Sequence, residues 1–128
     1  MRYSYGFSLL ELLITLTIIG ILASFCFPIY SQHIASERRL EAKIALEKLA
    51  ADLEKYYITH NTYQGATLEN LGFSPSIAAG QYQLAITTTE NTFSLAAVPA
   101  QQDKCGTLTV DSTGKKATTG TDSLSDCW

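Results

Sequence analysis

Charge is what the first quarter of this sequence lacks. From Phe7 to Tyr30 it reads FSLLELLITLTIIGILASFCFPIY, with Glu11 the only charged side chain, and only the hexapeptide MRYSYG stands ahead of it. Histidine is sparse as well: the 128 residues hold two, His33 and His60, far apart along the chain. No Ser/His/Asp or Cys/His set is suggested around them and no glycine-rich phosphate loop follows a strand, so the chain does not read as an enzyme. The three cysteines come without a CxxC pair or a neighbouring Cys/His group, which leaves no zinc signature. Net charge is −3, from 9 basic and 12 acidic side chains. A nucleic-acid partner held through its phosphates asks for a clustered basic face. The nearest clusters, Arg38 with Arg39 and Lys115 with Lys116, read as solvated surface. Overall charge therefore does not support a nucleic-acid partner, and only a local patch stays open.

What the front of the chain does have is length. About 20 apolar residues at a 1.5 Å rise span a hydrocarbon core of about 30 Å. An ordinary secretory signal would have a shorter apolar core and then a small-residue cleavage site, which SFCFPIY does not supply. A lipoprotein signal would end in a Cys preceded by a small residue, whereas Cys26 follows Phe25. A plain single-pass anchor accounts for the length but leaves Glu11 unexplained, because a carboxylate at membrane depth costs about 2.5 to 3.5 kcal/mol and calls for a partner. Cleavage between Gly6 and Phe7 would create one: the new amino group of Phe7, available to Glu11 of a neighbouring copy.

Gly6 followed by FSLLELLITLTIIGILA resembles the N-terminal signature of type IV pilins and related pseudopilins. The shared pattern is a short leader ending in Gly, a Phe start, Glu at the fifth position after the cut, and an apolar helix that later meets a Pro, here Pro28. The resemblance implies that a prepilin peptidase cuts after Gly6 and methylates Phe7, and that a bacterial inner-membrane precursor then assembles into a filament. One residue departs from the pattern: Tyr5 stands where family leaders usually carry Lys or Arg, although Arg2 still supplies a positive-inside charge. Downstream, EKYYITHNTY, Leu71–Gly72 and CGTLTVDSTGKK with a terminal CW look like the minor pilins that accompany type IV pili. By that resemblance the chain is a structural subunit, a minor pilin, whose partners are other pilins, the pilus assembly machinery, the peptidase and the inner membrane. Motility, adhesion and DNA uptake are the roles such subunits take, and no cofactor is implied. Two alternatives stay open: a type II secretion pseudopilin, and a DNA-binding receptor pilin, which would need its basic residues to converge on one exposed face.

The expected fold class is α+β: a leader at 1–6, a transmembrane and assembly helix at 7–30, and a periplasmic pilin-like globular domain at 31–128. Gly20 and Pro28 are weak points of the first helix. From Ser31 to Thr59 the helix turns amphipathic, with Ala42, Leu46, Leu49, Leu53 and Tyr56 spaced four, three, four and three. After a loop from His60 to Gly80, alternation at Tyr82, Leu84 and Ile86 and at Phe93, Leu95 and Ala97 predicts two half-buried strands joined through Thr89, Glu90 and Asn91. Leu108 with Val110 predicts a third, and Lys116 to Thr119 a short fourth, giving an antiparallel sheet of about 4 strands. Cys105 and Cys127 bracket the C-terminal segment and are the candidate disulfide, which would place the domain in an oxidising compartment. Cys26 lies in the apolar helix as a packing residue, and Trp128 is expected near the bridge. Asp122, Ser123, Ser125 and Asp126 offer oxygen ligands; their spacing is not that of an EF-hand, no metal residue is assigned, and calcium near Asp122 and Asp126 stays open.

Overall fold

A computed structural model describes residues 5–128, so residues 1–4 of the expected leader lie outside the described part. The chain divides into two compact units, one ending at Ile34 and one spanning Ala35–Trp128. Helix α1 is a single element, Leu9–His60.

In the first unit the start of α1 is set by Ser8, whose Oγ accepts the Glu11 backbone N–H at 3.1 Å and so satisfies one of the donors a helix leaves unpaired at its N-terminus. Hydroxyl groups placed in an apolar helix are absorbed by its own backbone: Thr15 donates to the Glu11 carbonyl and Thr17 to the Leu13 carbonyl, each at 2.8 Å. Pro28 removes one backbone N–H, yet the helix continues through it, and Ser31 Oγ donates to the Pro28 carbonyl at 3.0 Å. The large apolar side chains from Phe7 to Tyr30 are exposed throughout.

In the second unit α1 buries one stripe. Ala42, Leu46, Leu49 and Leu53 are fully buried, and Tyr56 is half-buried at the end of the same row. These residues share a core with Tyr82, Leu84, Phe93, Leu95, Ala97, Leu108 and Val110, the inward-facing positions of the sheet. At about 1.5 to 3 kcal/mol per buried leucine, this seam is the main source of the domain's stability. The sheet has five antiparallel strands in the order β1-β2-β3-β4-β5: Ser76–Ile77, Tyr82–Thr88, Phe93–Pro99, Leu108–Asp111 and Lys116–Thr118. β2 and β3 pair over their full length, from Tyr82 opposite Pro99 to Thr88 opposite Phe93. Their turn is closed by Thr89, whose N–H donates to the Thr92 carbonyl at 2.8 Å.

The expected strands β2 to β5 are all present; the expected loop from His60 to Gly80 differs by containing β1. Two residues after Pro75 are too few to show an alternating pattern, so β1 is created by its pairing with Tyr82 and Gln83 rather than by any local signal. The turn after it is unusual: Ala78, Ala79 and Gly80 take φ of 52°, 54° and 83° in succession. Two alanines in the left-handed region cost energy that the surroundings must offset. Part of the offset is visible, since Ala78 is buried and its N–H donates to Glu41 Oε1 at 3.3 Å.

The C-terminal segment is tied to the sheet. Cys105 and Cys127 form a disulfide and both are fully buried. Gly120 N–H donates to the Cys105 carbonyl at 3.0 Å and Thr121 N–H to the Lys104 carbonyl at 2.8 Å. A Cβ at Gly120 would overlap the Lys104 carbonyl oxygen, so only glycine allows this approach. A short helix α2, Leu124–Cys127, follows, and Trp128 docks on β5, its Nε1–H donating to the Ala117 carbonyl at 3.1 Å.

Candidate functional site

Two regions carry chemistry that packing does not absorb. The first is the start of α1. Tyr5, Gly6, Phe7 and Glu11 line one shallow recess of about 220 Å³. The structure thus brings together three residues singled out in the sequence: Gly6 and Phe7 at the expected cut and Glu11 one helical turn on. Phe7 is exposed, and among the described residues no cation pairs with the Glu11 carboxylate. An 18-residue stretch of α1 with mean hydropathy 2.4 is unburied in the single chain, and an acid at its start calls for cover and a partner, from lipid or from like helices. Gly20 and Pro28 both lie within α1, and a side chain at Gly20 would meet nothing within 4 Å.

The second region lies where α1 meets the loop before Cys105. Arg39 and Asp103 form a two-pronged ion pair there: Nη2 donates to Oδ1 at 2.8 Å and Nε to Oδ2 at 3.2 Å. Both side chains are mostly buried, at 15% and 14% exposure, which makes this an internal strut. Hydrogen bonding to Asp103 raises the Arg39 guanidinium against the lowering effect of burial. Burial pushes the Asp103 carboxyl up, but the Arg39 guanidinium and the Cys105 N–H outweigh it and hold the group below its ordinary range. Tyr82, beside the pair, is raised first by burial and then by the Asp103 charge. Two recesses flank the pair and share Gln102 and Asp103. The smaller, about 80 Å³, takes in Arg38, Gln81 and Gln101; the larger, about 520 Å³, takes in Lys104, Thr119 and Thr121.

Arg39 corrects the expectation of a solvated arginine pair. The signal was present: Arg39 stands three residues before Ala42, on the backward extension of the buried stripe, where a charge survives only with a partner. Its neighbour Arg38 is half-buried and, among the described residues, has no acidic partner. The second pair is also more than solvated surface. Lys116 Nζ donates to Glu47 Oε1 at 2.9 Å and lies 4.7 Å above the centre of the Trp128 ring. Lys115 stays exposed, close to the charge of Asp111.

Ser123 engages Asp126 and Ser125 through its hydroxyl, and among the described residues no group of three or more His, Cys, Asp or Glu side chains is placed to hold a metal. His33 sits in the first unit, and His60 stacks on Tyr56 with ring centres 3.9 Å apart.

Residues 28–109 match the sequence model of a family described as "Type IV minor pilin ComP, DNA uptake sequence receptor", and residues 1–27 match the prokaryotic N-terminal methylation motif. Among curated proteins, a type IV major pilin protein PilE1 of Neisseria gonorrhoeae is 32% identical over 78 residues, covering 60% of this chain and 47% of that protein. A fimbrial protein of Neisseria meningitidis serogroup B is 35% identical over 60 residues, 47% of this chain and 35% of that one. The chain thus spans about half the length, or less, of the curated relatives it matches. The solved structure of a type IV pilin from Shewanella oneidensis aligns with a TM-score of 0.55 at 33% identity, covering 73% of this chain and 97% of that one.

Proposed function

On the premise that the chain belongs to the type IV pilin family, we propose that it is a minor pilus subunit whose globular domain binds DNA at the cell surface during uptake. The observation that carries the finer part is the match of residues 28–109 to a receptor family. The coarser part, a filament subunit, rests on the methylation motif over residues 1–27 and on an exposed apolar helix with one acid near its start. In this reading a prepilin peptidase cleaves the inner-membrane precursor after Gly6 and methylates Phe7. Glu11 then neutralises the Phe7 amino group of an adjacent subunit as the apolar helices bundle in the filament core. Other pilins cover the surface that the single chain leaves exposed. The Cys105–Cys127 bridge favours a pilus subunit over a secretion pseudopilin.

Deletion in the parent bacterium separates the alternatives. DNase-protected uptake of labelled duplex should fall by at least tenfold while sheared filaments keep their bulk subunit. Loss of the filaments themselves would identify a shaft subunit instead, and unchanged uptake would remove the receptor role.

A further inference from the structure

We propose that the groove formed by the two recesses around Gln102 and Asp103 is where the DNA backbone lies, with Arg38 and Lys104 each facing a phosphate. The inference rests on the receptor reading above and gives it a location. Arg38 stands at one end and Lys104 at the other, and neither has an acidic side-chain partner among the described residues. Asp103 is the one carboxylate in the lining, and Arg39 already neutralises it with two hydrogen bonds. The lining therefore carries two uncompensated positive charges in a protein whose net charge is −3. Such a local concentration of one sign attracts an anion even when the whole molecule repels it.

The neutral part of the lining points the same way. Gln81, Gln101 and Gln102 offer amide donors and acceptors, and Thr119 and Thr121 offer hydroxyls. Amides, hydroxyls and cations are the groups that contact phosphate and sugar oxygens in protein–DNA complexes. The smaller recess suits one phosphate-sized group and the larger a nucleotide-sized one. Two adjacent recesses that share Gln102 and Asp103 fit a chain of phosphates better than a single anion. The strained run Ala78–Ala79–Gly80 ends directly before Gln81, a residue that lines the smaller recess. Strain held in place beside a cleft is a feature of ligand sites. Asp122 meets Lys104 through the backbone, its N–H donating to the Lys104 carbonyl at 3.2 Å, and its carboxylate, in no ion pair among the described residues, should weaken binding.

The test uses the full chain in neutral detergent micelles and a fluorescent duplex of about 30 base pairs, with anisotropy titrations at several salt concentrations. Arg38→Gln and Lys104→Gln should each raise Kd by about 3- to 10-fold and reduce the slope of log K against log salt by about 1, as expected for one lost phosphate contact. Arg38→Lys should restore most of the affinity, and Asp122→Asn should tighten binding. Lys115→Gln, whose charge lies beside Asp111, should change nothing. If the wild type fails to bind, the receptor reading falls and this inference with it. If the wild type binds and Arg38→Gln and Lys104→Gln bind equally well, the receptor reading stands and the groove assignment is wrong. Arg38→Gln that binds DNA normally but is depleted from sheared filaments would overturn the assignment in favour of a seat for a neighbouring subunit.

Discussion

Arg39 and Asp103, 64 residues apart in sequence, clasp one another through two hydrogen bonds and so fasten the helix to the loop that leads into the disulfide. Removing either partner leaves a mostly buried charge. Asp103→Asn or Arg39→Gln should lower the domain's unfolding free energy by about 1 to 3 kcal/mol. The pair also sets an acid limit. Because the folded state holds the Asp103 carboxyl below its ordinary value of 3.8, its contribution is present above that value and lost as pH falls through the lower folded value. Denaturant titrations of the full chain at pH 7 and pH 3 should show the wild type losing more stability than Asp103→Asn between the two. Equal losses would mean that the pair is not what acid breaks.

Replacing Cys105 and Cys127 by Ser should cost about 2 to 5 kcal/mol, the usual range for a native bridge in a small secreted domain. The bridge closes a sequence separation of 22 residues around a tail with little core of its own. Melting with and without reductant measures the loss, and mass mapping that finds both thiols free would remove its basis.

Gly120→Ala should lower stability by about 1 to 3 kcal/mol, because its methyl group has no room beside the Lys104 carbonyl. Gly114→Ala is the control. Unlike Gly120, Gly114 has positive φ, at 79°, and an added Cβ there meets nothing within 4 Å, so its cost is backbone strain alone, about 1 to 2 kcal/mol. A larger effect at Gly114 than at Gly120 would contradict the close approach.

Glu11→Ala should make membrane insertion of the single chain easier and filament incorporation worse, opposite effects that a plain anchor would not show. Glu11→Gln keeps the shape and removes the charge. The ratio of sheared-filament to membrane signal should fall severalfold for both variants, and equal incorporation of all three proteins would exclude an electrostatic role. Gly6→Val should leave an uncleaved precursor, read by the mass of the recovered chain.

The parts of the fold visible in the sequence are those where one periodicity repeats. Ala42, Leu46, Leu49 and Leu53 mark the buried side of α1, and Leu84, Leu95, Leu108 and Val110 mark the inward face of the sheet. β1 was invisible because a two-residue strand has no period. The Arg39–Asp103 pair was half legible: Arg39 lies on the backward extension of the buried stripe and so calls for a partner, but nothing in the sequence marks Asp103, 64 residues on, as that partner, and only the fold brings them together. The groove needed the fold as well, since Arg38 stands out as lacking an acidic partner among the described residues only once Arg39 is known to be taken.

The bridge has one further consequence, for what a protease can do to the molecule. The turn between β4 and β5 exposes Thr113, Gly114 and Lys115, and it lies inside the loop that Cys105 and Cys127 close. A trypsin cut after Lys115 therefore severs the peptide without releasing either piece. The nicked protein should migrate intact on a non-reducing gel and separate into two fragments once thiol is added, so a subunit displayed outside the cell can be cut there and still keep its tail.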